Sequence, residues 1–166
     1  MEKIPLNDLK AQYESIKGEI DKAIADVIEN STFIKGPQIE AFERSFASYC
    51  NAKYCISTGS GTSALYLALI AAGIKTGDEV ITVPNTFIAT TEAISATGAK
   101  IKFVDVDDYY LIDIEKLKKA ITPKTKAILP VHLHGMHADM DEILELADNE
   151  NLVVVEDAAQ AHGAEY

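Results

Sequence analysis

From Lys53 onward the sequence alternates short apolar runs with longer stretches of helical spacing, and glycines stand at many of the joints. The runs are residues 54–57, 79–83, 101–106, 126–131 and 152–156; the stretches between them are 63–72, 88–97, 114–121 and 140–149. Strands separated by helices are joined by crossovers, and crossovers make neighbouring strands parallel. The expected fold is therefore α/β, a mostly parallel sheet with helices on both faces.

The last run carries the most information: Leu152-Val153-Val154-Val155-Glu156-Asp157-Ala158-Ala159-Gln160-Ala161-His162-Gly163. Its β-branched residues suit a strand buried on both faces. The run then breaks into two acids and small residues. Ligands of open α/β sheets bind outside the carboxyl ends of the strands, which puts Asp157 where a site would be built. Capping of a following helix is an equally ordinary use of such an acid, but Ala158 and Ala159 leave room beside it.

Composition narrows the classes. A 48% hydrophobic content fits a chain with a core, and the net charge of −11 argues against a broad nucleic-acid face or an anionic membrane surface. The first residues lack a signal-peptide pattern, so a cytoplasmic protein is expected. Cys50 and Cys55 read as two reduced thiols. Before the alternation begins, Leu9, Tyr13, Ile16, Ile20, Ile24, Val27 and Ile28 mark one amphipathic helix, with Asp8 as N-cap. Ile39, Phe42, Phe46 and Tyr49 mark a second after Gly36-Pro37. Residues 1–52 are thus expected to form a helical segment packing on an α/β unit, residues 53–166.

Three further stretches could carry chemistry. Ser57-Thr58-Gly59-Ser60-Gly61-Thr62-Ser63 leads from a strand run into a helix. Free N–H groups and a positive dipole end there can hold a phosphate without basic side chains; a tight, hydroxyl-capped turn explains the same residues equally well. It is not a Walker loop, since no Gly-Lys-Ser/Thr ends it, and it does not complete G-x-G-x-x-G. Phe87, in Pro84-Asn85-Thr86-Phe87, could lie flat on a planar ligand, although a core aromatic is the commoner use. His132, His134 and His137 with Asp139 and Asp141 invite a metal reading, but Pro130 and Gly135 mark a strand-to-loop exit, which favours polar pocket lining.

Together these stretches resemble the nucleotide-sugar aminotransferases of the DegT type, pyridoxal-phosphate (PLP) enzymes of aspartate-aminotransferase fold type I. The resemblance runs from Ile4 to Tyr166. It is carried by Gly61-Thr62-Ser63-Ala64-Leu65, Gly77-Asp78-Glu79-Val80-Ile81-Thr82, Pro84-Asn85-Thr86-Phe87-Ile88-Ala89-Thr90, Ala120-Ile121-Thr122-Pro123-Lys124-Thr125-Lys126-Ala127-Ile128 and Glu156-Asp157-Ala158-Ala159-Gln160-Ala161-His162-Gly163. Pro5-Leu6-Asn7-Asp8-Leu9, Gly36-Pro37 and Pro130-Val131-His132-Leu133-x-Gly135 are most similar to the branch acting on dTDP-linked 3-keto-6-deoxyhexoses.

The resemblance implies roles. Asp157 would keep the pyridine nitrogen of PLP protonated, Gly61 and Thr62 would hold its phosphate, Phe87 would stack on the ring and Gln160 would bond its 3′-oxygen; His162 would support that wall. It implies transamination of a nucleotide-linked ketosugar, with glutamate as donor, by a homodimer in deoxyamino-sugar biosynthesis. The family's Schiff-base lysine and its C-terminal domain follow the Glu-Asp-Ala-Ala-Gln motif. No lysine here matches that position, so the chain is expected to be an N-terminal fragment, inactive alone, with no catalytic residue of its own. Two rivals stand beside this reading. One is a pyridoxamine-phosphate-dependent sugar dehydratase of the same family. The other is a non-catalytic regulatory relative.

Overall fold

The computed structural model describes residues 6–166. The first residues carrying the resemblance, Ile4 and Pro5, lie outside them. In chain order the elements are α1 (Leu9–Glu29), α2 (Pro37–Tyr49), α3 (Gly61–Ala71), β1 (Glu79–Thr82), α4 (Ile88–Ala96), β2 (Lys100–Phe103), α5 (Ile114–Ala120), β3 (Thr125–Ile128), α6 (Met140–Glu150) and β4 (Val153–Val154).

The strands form one sheet in the order β2-β1-β3-β4, and every pairing is parallel. Val80 of β1 pairs with Ile101 on one side and Ala127 on the other; Ile128 pairs with Val154. The chain leaves β1 towards β2, then returns past β1 to β3 and continues outward to β4. Because such crossovers are right-handed, this reversal puts α4 on one face and α5 and α6 on the other. The core lies between these layers: Leu69, Val80, Ile81, Ile94, Leu117, Ile128 and Ile143 are fully buried. The α/β expectation is met, and the crevice at the reversal opens between the C-terminal ends of β1 and β3.

Two local expectations fail. Residues 54–57 are not a strand; Tyr54 and Ile56 are largely exposed. No described strand lies alongside to complete a ladder, and the Ser57 N–H is instead taken by Glu43 Oε1 at 2.7 Å. An apolar run without a partner strand has nothing to satisfy its backbone. The last run is also not buried on both faces. β4 keeps only Val153 and Val154 and is the outer strand of the described sheet, so Val153 remains 39% exposed. A weaker continuation follows it, a parallel bridge between Val131 and Asp157.

The N-terminal helices form as their patterns suggest. Asp8 caps α1 by accepting from Ala11 N at 2.9 Å, and Pro37 occupies the first turn of α2. Yet α1 contains no buried residue, and α2 buries only Ala47.

Candidate active site

A cavity of about 380 Å³ opens at the reversal point, lined from four directions. Ser60, Gly61, Thr62 and Leu65 come from the start of α3, and Thr86, Phe87 and Ala89 from the exit of β1. Val131, His132 and Leu133 follow β3, while Asp157, Ala159 and Gln160 follow β4. All five residues singled out from the sequence are therefore brought to one wall-to-wall space. His162 is not on it; its ring packs edge-on against Phe46 of α2, centroids 6.0 Å apart.

The α3 wall follows from its cap. Ser60 Oγ accepts from Ser63 N at 3.1 Å, so the helix starts at Gly61, earlier than the hydroxyl pattern indicates. Gly61 and Thr62 thereby occupy the first turn, where N–H groups have no intrahelical acceptor. Among the described residues nothing else accepts from them. A Cβ built on Gly61 would meet no atom within 4 Å, so neither crowding nor backbone angle explains the glycine. What its bare Cα leaves is room at the cavity edge for an anion to approach the amides.

Asp157 is 8% exposed. Its backbone is pinned by the parallel bridge: its N–H donates to Pro130 O and its carbonyl accepts from His132 N, both at 3.0 Å. Thr90 Oγ1 donates to Oδ2 at 2.7 Å, and Ala159 N donates to Oδ1 at 3.3 Å. Among the described residues no cationic side chain pairs with it. A buried carboxylate without a countercharge is costly, and this one borders a cavity.

Gln160 has a fixed orientation. Its Oε1 accepts from the backbone N–H of His134 at 2.8 Å, so the amide NH₂ is the end left to donate. Phe87, at the N-cap of α4, is 71% exposed and adds nothing to the core. His132 is buried: Nδ1 accepts from Ala138 N at 3.2 Å, which leaves Nε2 to donate to Glu156 Oε2 at 2.9 Å. That bond holds the Glu156 carboxyl below its ordinary range. The three histidines do not converge. His134 contributes its backbone, and His137 packs on the His132 ring with centroids 4.9 Å apart. No group of three or more His, Cys, Asp or Glu spaced for a metal occurs among the described residues.

Sequence reasoning missed Thr90 and Thr86. Their signal was an i, i+4 pair of hydroxyls beside Phe87, with Thr90 on the buried face of a helix.

Comparison with known proteins defines the class. A profile of the DegT/DnrJ/EryC1/StrS aminotransferase family matches residues 14–166, and the chain belongs to that family. Over 99% of its length it is 49% identical to dTDP-3-amino-3,4,6-trideoxy-alpha-D-glucose transaminase of Streptomyces venezuelae, but it spans 44% of that relative. The crystal structure of S. venezuelae DesV in complex with a ketimine intermediate superposes with a TM-score of 0.96. Its identity is 48%, covering 98% of this chain and 44% of that one. A GDP-4-keto-6-deoxymannose-3-dehydratase with a trapped PLP-glutamate geminal diamine superposes with a TM-score of 0.82 at 34% identity, covering 87% and 39% of the two chains.

Proposed function

We propose that the cavity binds the phosphorylated pyridine cofactor of this family, PLP or its amine form. We further propose that the whole protein transfers an amino group from glutamate to a nucleotide-linked ketosugar, the dTDP-linked 3-keto-6-deoxyhexoses being the preferred class. The observation that carries this reading is Asp157, a buried carboxylate with no cationic partner among the described residues, on a cavity also lined by Gly61 and Thr62 at the start of α3. A ligand with a cationic ring nitrogen at one end and a phosphate at the other answers both.

When bound, the cofactor would supply an electron sink for negative charge at the carbon that bears the transferred nitrogen. The chain's own residues bind and orient it. Asp157 holds the proton on the ring nitrogen. Gly61 and Thr62 bind the phosphate through N–H groups at the positive end of α3, with the Thr62 hydroxyl as a further donor. Phe87 covers one ring face, and the Gln160 NH₂ donates to the ring oxygen. None of these groups is the base that moves protons between donor and acceptor, and no residue of this chain is assigned that step.

The setting we propose is a cytoplasmic homodimer; no described helix is long and apolar enough to cross a membrane. Residues 1–52 would form the helical segment docked on the unit 53–166 through α2, which the Phe46–His162 and Glu43–Ser57 contacts support. A dehydratase of the same family is the second reading, supported by the 34% identical structure.

Two measurements test this. The chain should bind pyridoxamine 5′-phosphate saturably and far more tightly than pyridoxamine; no binding would contradict the cofactor reading. A hybrid carrying this chain in place of the matching part of the S. venezuelae transaminase should aminate a dTDP-linked 3-ketosugar with glutamate. A folded hybrid that does not aminate it would contradict the reading of this chain as the cofactor-binding part of a transaminase.

A further inference from the structure

We infer that Thr90, backed by Thr86, is a positioning residue that aims Asp157 at the ring nitrogen. This rests on the cofactor reading above. Threonines in helices usually return their hydroxyl to a carbonyl of the preceding turn. Thr91 and Thr97 do so, donating to Ile88 O at 2.9 Å and Ile94 O at 2.7 Å. Thr90, fully buried in the same helix, instead donates to Asp157 Oδ2 at 2.7 Å, across 67 residues of sequence. Its single proton is thereby used, so the 2.8 Å contact between Thr86 and Thr90 must run from Thr86 to Thr90. The result is a directed chain from the cavity wall: Thr86 O–H to Thr90 O–H to carboxylate.

That chain fixes the torsion of Asp157. Oδ2 accepts from Thr90 at 2.7 Å and Oδ1 only through the long 3.3 Å bond from Ala159 N, so Thr90 is the firmer of the two holds and each oxygen keeps a lone pair for a ligand. The same turn of α4 carries Phe87, so one short segment presents the ring-stacking face and sets the acid's direction.

The test compares the affinity of the chain for pyridoxamine 5′-phosphate with that for its 1-deaza analogue, in which C–H replaces the ring nitrogen. The ratio isolates the contact between Asp157 and the nitrogen. Wild type should prefer the pyridine, Thr90→Val should cut that preference by about tenfold, and Thr90→Ser should restore it. Thr86→Val should cut it by less, about threefold. Thr82→Val is the control. Thr82 is equally buried but donates to Leu129 O at 2.8 Å, and its loss should leave the ratio unchanged. If Thr90→Val weakens both compounds equally, the residue only supports the fold and the inference is overturned. If Thr90→Val does not fold, Thr86→Val decides, an unchanged ratio overturning the inference. A wild-type chain that binds neither compound overturns the cofactor reading and this one with it.

Discussion

The carboxyl of Glu156 accepts from the buried His132 ring, and that bond holds its pKa below the ordinary carboxylate value. A group whose pKa is lower in the folded than in the unfolded chain adds stability above its unfolded pKa. It loses that contribution as pH falls through the folded value. The side chain is about half exposed, so solvent screening keeps the contribution to about 0.5–1 kcal/mol. Urea unfolding from about pH 6 to about pH 3 should therefore show a steeper loss of stability in wild type than in Glu156→Gln; parallel curves would contradict the assignment. Residue by residue, the site was legible wherever the chemistry stood at an element's end. Asp157, Gly61, Thr62, Phe87 and Gln160 all lie just past a strand or at the first turn of a helix. Thr90 was not legible, because a hydroxyl inside a helix looks the same whether it bonds its own backbone or a carboxylate far along the chain.

At the scale of elements, glycines mark how units end. Gly73 and Gly98 both have φ near +80°, at +83° and +80°. A Cβ at Gly73 would meet nothing within 4 Å, whereas at Gly98 it would lie 2.3 Å from Thr76 Oγ1 and 3.5 Å from Thr76 Cα. Gly73→Ala should then cost only the left-handed strain, about 1 kcal/mol. Gly98→Ala should cost about 1–3 kcal/mol more. Equal losses in denaturant titrations would show that Thr76 moves aside freely. β1, α4, α5, β3 and α6 were readable because each buries apolar residues against the rest of the α/β unit. Residues 54–57 and the last run misled for one reason. An apolar run declares that it wants partners, and nothing in its own residues says whether the chain supplies them.

Across the whole molecule, order is uneven. β1 and β3 are enclosed by helices on both faces, but α1 carries Leu9, Ile16, Ile20, Ile24 and Ile28 at 39–72% exposure and buries none of its residues. Few buried contacts mean low local stability. Hydrogen exchange should find the amides of α1 exchanging orders of magnitude faster than those of β1, β3 and α4, and equal protection would contradict this picture. No residue of α1 lines the cavity. At the cavity, Asp157, a buried carboxylate without a countercharge among the described residues, is proposed to bind a cationic ring nitrogen. The most direct measurement is calorimetric titration of pyridoxamine 5′-phosphate into wild type and Asp157→Asn. The substitution keeps the size and the acceptor for Thr90 but removes the charge. We predict saturable binding by wild type and at least about a tenfold loss in Asp157→Asn. Equal affinity of the two chains would contradict the claim.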